Sequence, residues 1–511
     1  MSEIRVRFAP SPTGQLHVGG LRTALYNYLF AKKYDGTFIL RIEDTDQNRL
    51  IPGAVENLIR TLDTMGVHHD EGVFIENGAL AQKGEYGPYA QSERLPTYKE
   101  YAQKLIKSEK AYYCFCSISR LAALREEQNK NKLAPKYDKY CLRLSHEEIE
   151  ERLAENEPYV IRLNVDENRG DIVFDDLIRG TVTIHARDVD DQVLMKSDGF
   201  PTYHLAVVVD DHLMQISHVI RGEEWISSTP KHILLHEALG FPLPKFAHIP
   251  LLLNPDKSKL SKRQGDVAVE DYLSKGYLKE TLINFVALLG WNPGSGSTQE
   301  IFTIDELVEK FDLSSVHKAG AVFDLKKLDW MNTEYIKKLA LDDLYERGLP
   351  FLSEKEFFKE WVGHQNILSE EEKMAFVKRV LKIEQDRLAK LSDIGENNPF
   401  FFTNVLSYDG ALLNWKQNTA EETRKALESA QETLSLLSDT DWKGKEIVEK
   451  ILMDKAGEKP ARPEGGKGDF LWPLRVALTG VQHSPSPFDV AWVLGKEESL
   501  KRITDAIKKL S

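Results

Sequence analysis

The chain has 511 residues, of which 41% are hydrophobic and 29% are charged, and its formal net charge is −13. This length predicts three or more domains, and the composition excludes a chain that is disordered throughout. No apolar run reaches the roughly 20 residues that a membrane-spanning helix needs. The negative net charge argues against a protein that binds nucleic acid without regard to sequence, although a local basic surface would still bind a tRNA.

The amino-terminal sequence predicts a strand, a loop and a helix. Ile4, Val6 and Phe8 recur with the period of two that is typical of a strand, and a loop containing two prolines follows at 9–14. Apolar residues then recur at helical spacing as far as residues 35–36, and a second strand is predicted at 38–42. This order is typical of the start of a parallel α/β sheet with a right-handed crossover.

The sequence pattern changes further along the chain. Between residues 84 and 193 short strands are predicted at 160–163, 172–174 and 181–184, which indicates a domain inserted into the first fold. The α/β pattern resumes with strands predicted at 203–209 and 217–220, and helical periodicity dominates beyond about residue 333. The start of the chain lacks the apolar stretch of a secretory signal, and three cysteines are too few for a disulfide framework, so we expect a cytoplasmic protein.

Polar and charged residues are predicted at the carboxyl ends of the strands, where open parallel sheets bind their ligands. They are Arg7, Glu43, Tyr203 and Arg221, with Tyr203 at the mouth of its predicted strand. Two arginines and an opposing carboxylate suit a ligand that carries two carboxylates and an ammonium group. The alternative is a set of ordinary surface ion pairs, which becomes less attractive when several such residues share one edge.

Two further segments have the residue types that handle nucleotide phosphates. His17, Gly19 and Gly20 lie where the first helix should begin, and glycines at a helix start admit a phosphate close to the backbone. A basic run at 259–263 includes Lys262, whose charge would neutralise departing pyrophosphate. Taken singly, each has a simpler interpretation, as a turn and as a solvated basic loop.

The combination of motifs resembles a known family. The chain carries, in order, RFAPSPTG at 7–14, HVGG at 17–20, RIEDTD at 41–46, GFPTYH at 199–204, VDDH at 209–212, VIRGEEW at 219–225 and KLSKR at 259–263. These segments resemble the bacterial-type glutamyl-tRNA synthetases of class I, and further matches near residues 322–332, 473–475 and 494–496 extend the resemblance over nearly the whole chain.

The resemblance implies an enzyme that activates L-glutamate with ATP to glutamyl-adenylate and pyrophosphate, and then transfers the glutamyl group to the 3′ end of tRNA-Glu. It also implies that activation needs bound tRNA. We further expect Mg²⁺ to accompany ATP, because it completes the charge balance on the phosphates, and we expect a monomer. The residues that match the glutamate pocket are Arg7, Ser11, Glu43, Tyr203 and Arg221. Those that match the catalytic and ATP-handling motifs are His17, Gly19, Gly20, Lys259 and Lys262, joined by Glu224.

The resemblance also divides the chain into domains. It implies a Rossmann-like catalytic domain at 1–84 and 194–240, and an inserted α+β domain at 85–193 that binds the acceptor stem. It implies an all-α stem-contact region at 241–332 that carries the KLSKR loop, and an all-α anticodon-binding region at 333–511.

Two positions depart from the pattern of the family. Val207 stands where some members direct an amide side chain toward the amino acid. Cys114, Cys116 and Cys141 resemble a zinc site found in part of the family, but those relatives place a histidine where this chain has Arg143. His146 or a water is an alternative fourth ligand, but we expect unligated thiols and no bound metal.

Arg387 lies in a segment, 384–391, where some members place an arginine against the last anticodon base, so we predict that it restricts the enzyme to tRNA-Glu. A helix-surface arginine is the alternative for this residue. For the whole chain, the alternatives are a non-discriminating enzyme that also charges tRNA-Gln and an inactive tRNA-binding paralogue. A glutaminyl enzyme is disfavoured by the loop at 9–14 and by the helical carboxyl-terminal third.

Overall fold

A computed structural model describes residues 3–260, 267–294, 296–365, 368–458 and 466–510. The chain forms two compact units. The first comprises Met1–Ser274 and Lys279–Leu328, and the second comprises Lys275–Leu278 and Asp329–Ser511. Over the described ranges, none of the helices has the length and apolar character needed to cross a membrane.

The first unit opens with the predicted strand–helix–strand. Its first strands are β1 (Arg5–Phe8), β2 (Thr37–Leu40), β3 (Glu71–Glu76) and β4 (Ala79–Lys83), and its first helices are α1 (Val18–Lys33) and α2 (Ala54–Thr64). Strands β1, β2 and β3 are parallel, while β4 runs antiparallel to β3. All four residues of β1 are buried, its two arginines included, because Glu71 pairs with Arg5 and Asp211 pairs with Arg7.

The region after residue 84 contains three α-helices and five strands, and these strands belong to two different sheets. Its elements are α3 (Leu95–Lys107), β5 (Ala111–Cys114), α4 (Ile118–Lys130), α5 (His146–Ala154), β6 (Val160–Leu163), β7 (Asp171–Asp176), β8 (Gly180–His185) and β9 (Val193–Met195). The strands predicted at 160–163, 172–174 and 181–184 are therefore confirmed. Strands β5, β6 and β9 form a small antiparallel sheet of their own.

The parallel pattern then resumes. The next elements are α6 (Tyr203–Leu213), β10 (His218–Gly222), α7 (Thr229–Leu239) and β11 (Lys245–Ile249). Strand β11 is parallel to both β10 and β7, and β8 is antiparallel to β7. A backbone bond of 2.9 Å from Ser217 to Arg5 places the start of β10 beside β1. Two strands of the region after residue 84, β7 and β8, therefore complete the sheet that contains β10 and β11.

The prediction of a strand at 203–209 is wrong, because this segment lies in helix α6. An unbroken apolar run is compatible with a buried strand and with a buried helix, and periodicity alone does not separate them. All residues from 205 to 211 are buried, so no polar face reveals the helical period. Tyr203 accordingly lies at the first turn of a helix and not at the end of a strand.

The remainder of the first unit contains short elements. They are β12 (Leu252–Leu253), α8 (Val269–Ser274), α9 (Lys279–Ala287), α10 (Ile304–Lys310) and β13 (Ala321–Val322). Strands β12 and β13 pair in parallel. The region 241–332 therefore contains β11, β12 and β13 besides its helices, which differs from the all-α content that we expected there.

The second unit is helical over its described residues, as predicted. Its helices are α11 (Leu325–Lys338, which begins in the first unit), α12 (Leu341–Ser353), α13 (Glu356–His364), α14 (Glu370–Glu384), α15 (Ala420–Ser435), α16 (Lys445–Gly457), α17 (Lys467–Thr479) and α18 (Pro487–Lys508). Capping boxes, Ser369 with Glu372 and Thr419 with Glu422, fix where α14 and α15 begin. An aromatic cluster that includes Trp361, Phe376 and Phe402 lies in its core.

Candidate functional site

A cavity of about 750 Å³ lies in the first unit, beside the carboxyl ends of β1 and β10 and the residues that follow β2. All five residues predicted to bind glutamate line it, and so do Gly19, Gly20 and Glu224 from the predicted nucleotide set. The five are Arg7, Ser11, Glu43, Tyr203 and Arg221. The structure therefore brings together residues that are up to 214 positions apart in the sequence.

One carboxylate pairs with two arginines at the base of the cavity. Asp211 on α6 accepts from Arg7 Nε at 3.0 Å and Nη2 at 3.2 Å, and from Arg41 Nη1 at 2.7 Å. Arg41 Nη2 donates to Glu43 at 3.0 Å, so two carboxylates and two guanidinium groups form one buried network. This network fixes Arg7 and Glu43 before any ligand arrives.

The same network shifts the pKa values of its two carboxyl groups in opposite directions. Burial acts to raise the pKa of Asp211, but Arg7 and Arg41 outweigh it and lower that pKa to about 2. Burial raises the pKa of Glu43, and the opposing effect of Arg41 and Arg7 is the smaller one. Asp211 is thus a permanent counter-ion at neutral pH.

Arg221, at the end of β10, has a different environment. Its Nη1 donates to the hydroxyl of Tyr203 at 3.0 Å, and the Tyr203 ring packs against Trp225 with ring centroids 4.2 Å apart. Arg221 is only 5% exposed. Among the residues that the structure describes, no carboxylate oxygen lies within 4.0 Å of its guanidinium group. Arg221 therefore presents a positive charge that no described side chain neutralises.

The HVGG motif forms the amino-terminal end of α1. Nδ1 of His17 accepts from the backbone N–H of Gly19 at 2.9 Å, so His17 caps the helix. A ring that accepts at Nδ1 carries its proton on Nε2, which makes Nε2 a donor. A Cβ on Gly20 would lie 2.9 Å from a methyl of Leu16, so the close packing at this turn favours glycine. His17 does not itself line the cavity.

The KLSKR segment is described only in part. Lys259 is exposed on a hairpin in which Leu260 donates to the backbone of Leu252 at 2.9 Å, and it does not line the cavity. Lys262 lies outside the described residues. The chain re-enters the described part at Val267, whose carbonyl accepts from Val18 at 2.8 Å, while Val269 donates to Leu16 at 3.0 Å. The segment that follows KLSKR therefore pairs with HVGG.

Three residues at the cavity had no predicted role. Asp211 neutralises Arg7, Trp225 packs on Tyr203, and Lys196 lines the cavity while bonding the carbonyl of Thr45 at 3.2 Å. Asp211 and Trp225 lie within family motifs, which were a usable signal. Lys196 lies in no motif and could not have been singled out.

Val207 lies one helical turn after Tyr203 on α6 and is 1% exposed. Residues 203, 207 and 211 recur at four-residue spacing, so they share one face of the helix. Val207 does not line the cavity, although its neighbour on that face, Tyr203, does. Position 207 therefore adds no polar group to the cavity, whereas Arg7, Arg221 and Tyr203 do.

The three cysteines lie together in a different part of the first unit. Their sulfur atoms are all within 4.8 Å of one another, and Cys116 Sγ lies 3.2 Å from the hydroxyl of Tyr137. Three thiols would supply three of the four ligands of a structural zinc site. Neither Arg143 nor His146 belongs to this cluster. The expectation of unligated thiols stays a prediction.

Arg387 lies in the second unit, in a short 3₁₀ turn directly after α14. Its side chain is exposed and lines a pocket of about 370 Å³ together with Glu384, Asn398 and His483. Glu384 accepts from the backbone of Gly395 at 3.0 Å and from Asn398 at 2.8 Å, which fixes the wall of this pocket. A pocket with polar walls and an exposed arginine suits an unstacked base.

Comparisons with known proteins agree with this arrangement. Residues 3–330 match the family described as tRNA synthetases class I (E and Q), catalytic domain, and residues 343–507 match an anticodon binding domain. The glutamate–tRNA ligase of Alkaliphilus metalliredigens is 46% identical over 506 residues, which cover 98% of each chain. That of Clostridioides difficile is 47% identical over 512 residues, again covering 98% of each chain.

Solved structures give the same picture. A crystal structure of a glutamate tRNA ligase from Elizabethkingia meningosepticum in complex with its amino acid superposes with a TM-score of 0.85, at 37% identity and with both chains fully covered. A glutamate–tRNA synthetase from Elizabethkingia anophelis gives a TM-score of 0.84 at 36% identity, covering 99% of this chain and 100% of the other.

Proposed function

Because the chain belongs to the glutamate–tRNA ligase family of class I tRNA synthetases, we propose which of its residues perform the family reaction. The enzyme joins glutamate to tRNA with ATP. In the first step a glutamate carboxylate attacks the α-phosphate of ATP, which releases pyrophosphate and leaves glutamyl-adenylate. In the second step a terminal ribose hydroxyl of tRNA-Glu attacks the adenylate, and AMP leaves.

One observation carries the assignment of the amino-acid site: five residues from four separate motifs converge on one cavity, and one of them is a buried arginine without a described carboxylate partner. We propose that Arg221, with the hydroxyl of Tyr203, holds the side-chain carboxylate of glutamate. Asp211 already occupies two nitrogens of Arg7, so Arg7 contributes one remaining edge. Glu43 accepts from the ammonium group, and Ser11 adds a hydroxyl.

The nucleotide is proposed to bind at the amino-terminal end of α1. Backbone N–H groups and the helix dipole attract phosphate there, and Gly19 and Gly20 let it approach. His17 Nε2 donates to a phosphate oxygen as charge develops, and Lys262 neutralises the leaving pyrophosphate. Lys259 supports the same loop, and Glu224 contacts the nucleoside part from the cavity wall.

Mg²⁺ is proposed to arrive with ATP. Within the described ranges, the cysteine cluster is the one group of three or more potential metal ligands, so the cavity has no preformed cage of carboxylates. Mg²⁺ binds readily through phosphate oxygens and water with few protein ligands. The ion would supply charge neutralisation on the phosphates.

The deciding experiment is glutamate-dependent ATP–pyrophosphate exchange, with and without tRNA. We expect exchange that increases with tRNA and is not supported by glutamine. Arg221→Lys keeps the charge but loses the planar fork, so the KM for glutamate should rise at least about tenfold. Arg5→Lys is the matched control, because Arg5 is a buried arginine on the neighbouring strand β1 that pairs with Glu71 outside the cavity. Folded wild-type protein without exchange in either condition would favour the inactive paralogue.

Arg387 is proposed to read the anticodon and to restrict charging to tRNA-Glu. The polar pocket beside it supports this role. Purified tRNA-Glu and tRNA-Gln should be charged with kcat/KM values that differ greatly, and Arg387→Gln should reduce the difference. Equal charging of both tRNAs by the wild type would instead identify a non-discriminating enzyme.

We also propose that the enzyme acts as a monomer in the cytoplasm. All described residues of the amino-acid site come from one unit of one chain. Sedimentation at working concentrations tests this, and a dimer would contradict it.

A further inference from the structure

Three neighbouring strands, β10, β11 and β7, carry Arg221, His248 and Asp176, which are linked by hydrogen bonds. Arg221 on β10 stands directly opposite His248 on β11, and Phe246 on β11 stands opposite Asp176 on β7. Asp176 Oδ2 lies 2.6 Å from His248 Nδ1, and His248 Nε2 lies 3.1 Å from Arg221 Nε. A hydrogen-bonded chain therefore runs across the sheet from a carboxylate to the proposed substrate-binding arginine.

The chemistry of the donors fixes the tautomer of His248. An arginine Nε–H can only donate, so His248 Nε2 must accept and its proton must reside on Nδ1. Nδ1 then donates to Asp176. Asp176 also accepts from the backbone N–H groups of Ile178 at 3.0 Å, Arg179 at 2.9 Å and His248 at 3.1 Å, so every described partner is a donor. A carboxylate is the species that suits this position.

The other partners of Arg221 are also neutral acceptors. His232 Nδ1 lies 3.2 Å from Nη1, and Thr229 Oγ1 accepts from Nη2 at 2.9 Å. Burial lowers the pKa values of His232 and His248, and the charge of Arg221 lowers both further, while the hydrogen bond to Asp176 acts against this at His248 without outweighing it. The guanidinium group is thus oriented by hydrogen bonds while its charge stays uncompensated.

We propose that Asp176 and His248 are positioning residues for Arg221: Asp176 fixes the tautomer of His248, and His248 holds Nε so that the Nη edge faces the carboxylate of glutamate. This inference rests on the proposed role of Arg221. Asp176 lies in the region 85–193, so that region also supports amino-acid selection. Together the two residues set the preference for a carboxylate over a carboxamide, because they fix Arg221 without neutralising it.

The test is Asp176→Asn, which keeps the size of the side chain and removes its charge. We expect the KM for glutamate to rise at least about tenfold, the effect of losing one charge-assisted hydrogen bond. The kcat at saturating glutamate should fall less than about threefold and the KM for ATP should not change, because the substitution acts on orientation of one binding group. The ratio of kcat/KM for glutamate to that for glutamine should fall.

Three further variants keep the result interpretable. Glu71→Gln is the matched control. Glu71 is also a carboxylate on a parallel strand of this unit, but it pairs with Arg5 and lies outside the cavity. Its substitution should therefore leave the KM for glutamate unchanged. His248→Gln retains an acceptor and a donor and should be milder than His248→Leu, a rescue that a purely structural role does not predict.

The outcomes separate the inference from its premise. If Arg221→Lys raises the KM for glutamate and Asp176→Asn leaves it within twofold of the wild type, the positioning role is overturned while the proposed function stands. If neither changes it, the role of Arg221 itself fails. An Asp176→Asn enzyme whose KM values for glutamate and ATP rise together would likewise contradict a specific positioning role.

Discussion

At the scale of the single residue, the two cavity arginines differ in their partners. Asp211 neutralises Arg7, whereas Arg221 is surrounded by a phenol, a hydroxyl and two neutral imidazoles. An arginine with a buried carboxylate partner presents little net charge to a ligand. The cavity therefore attracts an anion chiefly at the end where Arg221 lies.

Glu43→Gln should weaken glutamate binding at the other end of the cavity. The substitution removes the charge that is proposed to accept from the ammonium group, so the KM for glutamate should rise roughly 10- to 100-fold, equivalent to about 1.5–3 kcal/mol. The KM for ATP should stay within a factor of two. Steady-state exchange kinetics measure both values, and an unchanged KM for glutamate would exclude this role for Glu43.

Lys262→Ala should lower kcat and leave the KM for glutamate unchanged. Its ammonium group is proposed to act on pyrophosphate as it departs, so its loss should slow the step by a factor of roughly 100 or more. Lys259→Ala is the comparison, because Lys259 is exposed on the preceding hairpin. Equal, small effects of the two substitutions would remove Lys262 from the reaction.

The sequence predicted which polar residues the cavity would need, but not their partners. Arg7, Glu43 and Arg221 are predictable because motifs and strand ends place them. Asp211 lies in the VDDH segment, two residues beyond the stretch 203–209 that was misread as a strand, so its role as the partner of Arg7 was not predicted. Its function depends on the helical turn that directs it toward Arg7, and this is a property of tertiary packing.

At the scale of the element, helix α6 links the polar network to the aromatic side of the cavity. Tyr203 at its first turn contacts Arg221, and Asp211 two turns later contacts Arg7. Asp210, beside it, accepts from Arg94 at 2.7 Å and from Tyr98 at 2.8 Å. One helix thus sets the positions of both arginines and joins them to α3.

Replacing His17 at the start of α1 should separate its structural role from its catalytic role. His17→Ala removes the cap and should lower the free energy of unfolding by about 1 kcal/mol, whereas His17→Asn retains a capping side chain and should preserve it. Both variants should lose kcat, because neither offers the ring Nε2 donor. Urea unfolding and exchange assays measure the two effects, and full activity of His17→Asn would leave His17 with capping alone.

At the scale of the whole molecule, buried histidines should make stability depend on pH. Burial lowers the pKa values of His204, His218 and His236 to about 4, from 6.5. Between pH 6.5 and 4 the unfolded chain therefore binds more protons than the folded one, and the free energy of unfolding falls as pH falls. For a fully buried group such as His236 the total is about 3 kcal/mol.

Urea unfolding at pH 7, 5.5 and 4.5 measures this dependence, and His236→Gln should reduce its slope by about one proton. Asp211 contributes to stability in a separate, lower range of pH. Its pKa is lowered from 3.8 to about 2, so its stabilisation is lost only as the pH falls below 3.8 toward 2. A free energy of unfolding that is constant from pH 7 to 4.5 would contradict the histidine assignment.

The fold class was predictable because the first 46 residues combine strand and helix periods with ordered motifs, and helical periodicity persists beyond residue 333. The sheet was less predictable. Strands β7 and β8 lie in the region that we predicted to be a separate insertion, yet β7 pairs with β11 and β8 pairs with β7. Packing across the whole unit decides which distant strands pair in a sheet. The local hydrophobic periodicity predicts each strand but not its pairing partner.

The solitary charge of Arg221 also has a thermodynamic consequence for the fold. A buried cation without a counter-ion destabilises the protein that contains it, and a ligand that supplies the counter-ion restores the deficit. L-Glutamate should therefore raise the unfolding temperature, by an amount equivalent to about 2.7 kcal/mol at 100 times its Kd. Glutamine at equal concentration should raise it less. The unpaired charge that selects glutamate would then also couple glutamate binding to thermal stability. The enzyme would resist unfolding best when the concentration of L-glutamate is high.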